Sequence, residues 1–271
     1  MTDPRATTPR GHPEAIVRPK AAEDVLRVSR HRPSDSLAEY VDYYWLVRWD
    51  PVTTHRQQVV PQPCVHVAAE DGRLLVHGLS RAPFFRTLTG PGHVLGVAFH
   101  AAGFRPLLGS SVARITGTVT PAAELLGPDD RDVAGHILAT DDAPAMISAM
   151  DDYLGSVGPW PDPTARQVTA LVSAARHDIT ITRAEGLARH AGVSLRTLQR
   201  LFTEYVGIGP KWVVQRFRLL DAAAAAHGGS TVDWAALAAD LGFSDQAHLT
   251  RLFTQVVGTP PATYLRDPGT R

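Results

Sequence analysis

The order of apolar and polar positions divides the chain into two textures. Between residues 45 and 99, short runs rich in aromatic and β-branched side chains alternate with turn signals. Residues 45–49, 58–60, 64–69, 73–76, 84–88 and 94–99 read as strands, separated by Pro, Gly and Asp-Gly punctuation. Short strands at this rhythm predict a small antiparallel β-barrel-like domain. Residues 37–44 read as a short helix leading into the aromatic strand. From residue 101 the pattern turns helical, with 122–126 and 131–154 as further helices flanking the strands. Residues 155–163 hold three prolines and two glycines in nine positions, the composition of a linker. Everything beyond is rich in Ala and Leu and helical. The expected fold is therefore α+β, with an all-α domain following the strand domain. Its parts are a flexible N-terminus (1–30), a sensor or dimerisation domain (31–154), the linker (155–163) and a helical domain (164–267).

The helical half repeats itself. Leu187, Ala188, Gly192 and Ser194 recur as Leu237, Ala238, Gly242 and Ser244, fifty residues later. After one inserted residue, Leu198, Arg200, Phe202, Gly207 and Pro210 recur as Leu249, Arg251, Phe253, Gly258 and Pro261. Each copy reads as a helix-turn-helix. Thr182 and Glu185 have capping-box spacing for the first support helix. Gly192 and Gly242 permit the turn, since glycine reaches positive φ without steric cost. Ser194 and Ser244 are suitable N-caps for the second helix of each pair. On those helices Leu198 and Phe202, and Leu249 and Phe253, face inward. Arg196, Gln199 and Arg200, and Ala247, Thr250 and Arg251, fall on the outer face at steps of three and four. Residues 211–226 read as a helix of about 16 residues, roughly 24 Å long, joining the two copies. A spacer of that size permits two recognition helices in successive major grooves, about 34 Å apart.

A polar outer face is by itself only a solvated face, and it is the duplication that points to DNA. A scaffold of stacked helical repeats needs at least three units to close its core. The double pattern resembles the AraC/XylS family of bacterial transcription regulators. The resemblance is carried by Leu-Gly-Phe-Ser-Asp-Gln-Ala-His-Leu-Thr-Arg-Leu-Phe (241–253) and Gly-Thr-Pro-Pro-Ala-Thr-Tyr-Leu-Arg (258–266), and covers about residues 164–267. It implies base-reading positions at Arg196, Gln199, Arg200, Gln246, Ala247, His248 and Arg251, with backbone contacts at Thr197 and Thr250. It also implies double-stranded DNA as the partner, and admits RNA polymerase, a small-molecule effector and a second copy of the chain. Gly209 and Pro260 depart from the family, which usually has a small hydroxyl residue before the proline. Residues 37–127 resemble the poorly characterised barrel-like N-terminal domains of some members, through 43–45, 60–64 and 96–104.

Charge agrees with this division. The chain is neutral overall, but residues 164–271 carry 12 Lys/Arg against 8 Asp/Glu, and residues 1–163 carry the balancing acidic excess. A single cysteine, Cys64, excludes an intramolecular disulfide and the multi-cysteine zinc site of alkylation-repair methyl acceptors. No nucleophile elbow, phosphate loop or paired-carboxylate motif stands out, so the expectation is a regulator and not an enzyme, with no cofactor. Histidines 66, 77, 93 and 100 lack metal-ligand spacing, and no metal site is expected. No run of about 20 apolar residues occurs, and a cytoplasmic protein without membrane contact is expected. Tyr40, Tyr44, Trp45, Trp49, Phe84, Phe85, Phe99 and Phe104 are candidates for an apolar ligand pocket, with ordinary core as the alternative.

Overall fold

A computed structural model describes residues 6–7, 25–51, 54–59, 62–227 and 232–264. Nine strands are present among them: β1 (Ala6–Thr7), β2 (Leu26–His31), β3 (Val41–Trp49), β4 (His55–Val59), β5 (His66–Glu70), β6 (Arg73–His77), β7 (Phe84–Leu88), β8 (Gly92–Phe99) and β9 (Val119–Pro121). Seven form an antiparallel sheet in the order β1-β2-β3-β8-β5-β6-β9, while β4 and β7 pair as a separate two-stranded sheet. The β5–β6 hairpin turns on Asp71 and Gly72, both at positive φ (51° and 74°). That is what a two-residue primed turn demands, and it explains the Asp-Gly signal.

Beyond an irregularity between Val41 and Tyr43, alternation on β3 sorts its side chains to two faces. Tyr44 and Leu46 are fully buried beneath helices, while Tyr43, Trp45 and Val47 are half-buried on the opposite face. The covering helices are α1 (Arg105–Leu108), α2 (Ala122–Leu126), α3 (Arg131–Ala139) and α4 (Ala143–Val157), with a 3₁₀ turn at Val112–Ile115. Leu46, Val67, Leu95 and Val97 of the sheet meet Ile137, Met146, Ile147 and Met150 of the helices in one core. Asp130, fully buried, accepts from Arg73 Nε at 2.6 Å and from the Ala123 amide at 3.3 Å, which pins the α2–α3 corner to β6.

Three local expectations are corrected. Residues 37–40 make turns only, and the backbone is a strand from Val41 on, because alternating burial along β3 outweighs the short helical pattern. Residues 26–30, expected to be flexible, belong to β2, which pairs with β3 along its whole length, with Leu26 packed on Leu88. The remainder of the expected flexible terminus, 1–5 and 8–24, lies outside the described residues. The predicted helix 131–154 is two helices, broken at residues 140–142, and the second runs through Gly155 to Val157. Residues 158–162 then separate it from the helical domain.

The helical domain comprises α5 (Pro163–His177), α6 (Ala184–His190), α7 (Leu195–Tyr205), α8 (Pro210–His227), α9 (Trp234–Asp240), α10 (Gln246–Val257) and α11 (Pro261–Tyr264). It has two cores. The first gathers Val168, Leu187, Leu198, Phe202 and Phe217, and takes in Leu79 and Ala102 from the strand domain. The second gathers Leu219, Ala238, Leu249, Phe253 and Tyr264. Helix α8, 18 residues and so about 27 Å long, has its first half in one core and its second half in the other.

Candidate nucleic-acid interface

Helices α6 and α7 form the first helix-turn-helix, and α9 and α10 the second. Gly192 and Gly242 occupy the two turns at φ 65° and 78°. Gly242 is constrained twice, since a Cβ there would fall 2.5 Å from Thr182 Cβ. The expected Thr182–Glu185 capping box is not formed. Helix α6 begins after Arg183 without a side-chain cap, and Thr182 packs instead on the turn of the second motif. Ser194 caps α7 as expected, accepting from the Thr197 amide at 3.1 Å. Asp245, not Ser244, caps α10, accepting from the His248 amide at 2.7 Å. A carboxylate at a helix N-terminus also meets the positive end of the helix dipole. Asp245→Ala is therefore expected to cost about 0.5–2 kcal/mol. Ser244→Ala should cost clearly less, and paired thermal melts of the two variants check the assignment.

The predicted reading residues divide by exposure. Arg196, Gln199, Arg200, Gln246, Ala247 and Arg251 are all exposed on α7 and α10. None of the three arginines forms an ion pair with another described residue, so each guanidinium keeps its donors free. Thr197 and Thr250 are half-buried; Thr197 Oγ1 lies 2.9 Å from Ser194 Oγ, and the Thr250 carbonyl accepts from Thr254 Oγ1. His248 is drawn into the cap, its Nδ1 3.0 Å from Ser244 Oγ and its ring edge-on to Phe243. That leaves only Nε2 of its imidazole for an outside partner. The caps at the helix ends match too: Gly207 and Gly258 stand at φ 87° and 86° after α7 and α10.

The eight aromatic candidates of the strand domain do not gather. Tyr40, Tyr44, Phe99 and Phe104 belong to the helix-covered core, where Tyr44 Oη donates to Asp151 Oδ1 at 2.5 Å. Phe85 points outward beneath Arg56. Trp45, Trp49 and Phe84 line a cavity of about 350 Å³ between the large sheet and the two-stranded β4–β7 sheet. Glu70, His66, His77, Arg86 and Cys64 share its wall. Glu70 Oε2 accepts from Arg86 Nη1, and Oε1 lies 3.3 Å from His77 Nε2. These partners hold the Glu70 carboxyl below its usual range although burial opposes them. Burial pushes the Cys64 thiol up to about 12, which leaves it a thiol and a poor nucleophile. No group of three metal-ligating side chains occurs among the described residues.

Burial also pushes the His66 imidazole down to about 4, with His77 adding to the effect. The folded value lies below the ordinary 6.5, so the contribution is whole above about pH 6.5 and is lost as pH falls toward 4. Urea midpoints should drop between about pH 7.5 and about pH 5, and drop less in His66→Asn.

Residues 187–267 match the family model described as a helix-turn-helix domain. The segment is a helix-turn-helix domain. Residues 29–121 match a domain of unknown function, DUF6597. Among solved structures, an apo variant of ToxT from Vibrio cholerae strain SCE256 has a TM-score of 0.40 at 11% identity, covering 82% of this chain and 97% of that one. Another ToxT crystal structure from Vibrio cholerae gives 0.38 at 11% identity, covering 89% and 98%. A third, described as wild-type ToxT with unsaturated fatty acid bound, gives 0.36 at 12%, covering 89% and 94%.

The strand domain touches the helix-turn-helix domain at the C-terminal end of each recognition helix. At the first, Thr116 Oγ1 donates to the Gly207 carbonyl at 2.8 Å, and Arg105 Nε pairs with Glu204 at 2.9 Å. At the second, Gln58 Nε2 on β4 donates to the Val256 carbonyl at 3.1 Å. Val256 is among the last four residues of α10, whose carbonyls have no partner within the helix. The first motif also shares a core with the strand domain and the second does not. Gln58→Ala should thus speed amide exchange at the end of α10 and leave α7 unchanged, as read by hydrogen-exchange mass spectrometry.

Proposed function

We propose that this chain is a sequence-specific, DNA-binding transcription regulator whose α7 and α10 read two successive major grooves. The observation that carries the reading is the doubled motif, with unpaired arginines exposed at Arg196 and Arg200 on one helix and Arg251 on the other. Guanidinium forks suit guanine edges. We also infer that the strand domain is a sensor. A dimerisation domain with a filled core would have no cavity, whereas 350 Å³ lies within the range of small-molecule sites. Because Gln57 and Arg86 of the two-stranded β4–β7 sheet line that cavity while Gln58 touches α10, an occupant has a short route to the second reader. A ligand acts only through its different affinity for two states, typically 1–3 kcal/mol of coupling. Titration of the full chain with duplex DNA at two salt concentrations tests the first claim. Affinity should fall steeply with salt, through counterion release, and differ among sequences. Binding without sequence preference would reduce the interface to a diffuse basic surface.

A further inference from the structure

We propose that the cavity takes an uncharged molecule with a flat apolar ring system, and that it discriminates against anions and cations alike. The proposal rests on the reading of the cavity as a ligand site and names the chemistry of its occupant. The floor comes from β3, where Trp45 and Trp49 stand opposite Gly96 and Gly92 of β8. Both indoles lie over those glycines: a Cβ at Gly96 would fall 2.1 Å from Trp45 Cζ2, and one at Gly92 would fall 2.7 Å from Trp49 Cζ2. Val47 and Val94 line the stretch between the two rings. Across the slot stand Phe84 and Leu88 of the two-stranded sheet. A slot between two sheets, floored by rings and valines, favours flat apolar molecules.

Every charge in the described wall already has a partner. Glu70, 8% exposed, accepts from Arg86 Nη1 through Oε2, and its Oε1 lies 3.3 Å from His77 Nε2. Arg30 is engaged as well, its guanidinium carbon 4.3 Å from the centroid of the Tyr43 ring. His66 and Cys64 stand together, with Sγ 3.4 Å from Nε2. Burial keeps both uncharged near neutral pH, the imidazole pushed down to about 4 and the thiol up to about 12. The same loss of water meets an ion that enters from outside. An anion sharing Arg86 would sit against the Glu70 carboxylate, and one that drew Arg86 away would strip a buried charge of its partner. A cation reaching for Glu70 finds Arg86 and His77 there first. Indole faces attract cations, but more weakly than a stripped buried carboxylate costs.

The neutral polar groups of the wall are occupied too. Ser80 Oγ donates to the Ala82 carbonyl at 3.1 Å, Thr118 Oγ1 to the Ile115 carbonyl at 2.9 Å, and Gln57 Nε2 to the Gln58 carbonyl at 2.8 Å. Trp45 Nε1, Trp49 Nε1, Gln62 Nε2, His66 Nδ1 and His77 Nε2 lack a hydrogen-bond partner of good geometry, yet each of these atoms is covered by protein, so no occupant reaches it. Apolar contact is what remains to hold a ligand.

Three probes on one ring system separate the possibilities: 3-methylindole, indole-3-acetate and tryptamine, titrated calorimetrically into the full chain. The uncharged 3-methylindole is expected to bind at least about tenfold more tightly than either ion. Trp45→Ala should weaken it, while Trp160→Ala, which removes an exposed indole outside the wall, should not. Glu70→Gln releases Arg86 and should narrow the gap between indole-3-acetate and 3-methylindole; an unchanged gap would overturn the role given to the Glu70–Arg86 pair. The comparison of charges in the unaltered chain stands whether or not a variant folds. Either ion binding as tightly as 3-methylindole would overturn the uncharged class yet leave the cavity a ligand site. No binding by any of the three, to a chain with native circular dichroism, would overturn the class and the ligand-site reading together.

Discussion

Phe253→Ala is expected to destabilise the second helix-turn-helix by about 3–5 kcal/mol, the usual cost of deleting a fully buried aromatic ring. Phe253 has no exposed surface and lies against Leu249 and Tyr264 in a small core that, among the described residues, is built from 219–264. That core has little else to absorb the loss. The equivalent Phe202 lies in the larger first core, which is continued by Leu79 and Ala102 of the strand domain. The two changes should therefore differ in reach. Phe253→Ala should melt α9–α11 at a temperature where the rest stays folded, giving two transitions by calorimetry. Phe202→Ala should lower the main transition instead. A single transition lowered equally by both would mean that the helical domain melts as one unit and that its two cores have no independent existence.

Arg251→Ala should cost about 1–3 kcal/mol of binding to a preferred duplex, and far less to an unrelated one, if its guanidinium reads a guanine edge. Arg200→Ala should behave in the same way at the other half of the site. Arg131, exposed on α3 of the strand domain, supplies the control, and Arg131→Ala should leave both affinities unchanged. A uniform small loss for Arg200→Ala and Arg251→Ala across all sequences would assign these residues to phosphate contact alone.

The helix-turn-helix pair was legible in the sequence because its signals are local. A glycine turn, an N-cap and an apolar stripe at steps of three and four all lie within about 20 residues, and the second copy repeats them. Even there, Ser244 and Asp245 are adjacent and both able to cap, and only the backbone at Asp245 shows which one does. The strands between residues 45 and 99 were legible for the same reason, through alternation and the Asp-Gly turn, whereas β1, β2 and β9 were not. The cavity was not. Tyr43, Tyr44 and Trp45 are consecutive, and alternation says that Tyr44 differs from its neighbours without saying which face is covered by helices. The deciding information is the pairing of β3 with β8, which sets Trp45 on Gly96 and Trp49 on Gly92. Two tryptophans four apart facing two glycines four apart was the signal that could have found it. Glu70, Arg86 and His77 come from three different strands, and no spacing along the chain announces their meeting.

The reading of two grooves by two helices is tested most directly by selecting bound duplexes from a randomised pool with the full chain. The account predicts two preferred blocks whose centres lie about one helical turn, 10–10.5 base pairs, apart. Inserting about half a turn between the blocks should then abolish the preference, because α8 holds the two motifs at one separation. A selected site with one block, or affinity indifferent to the half-turn insertion, would contradict it.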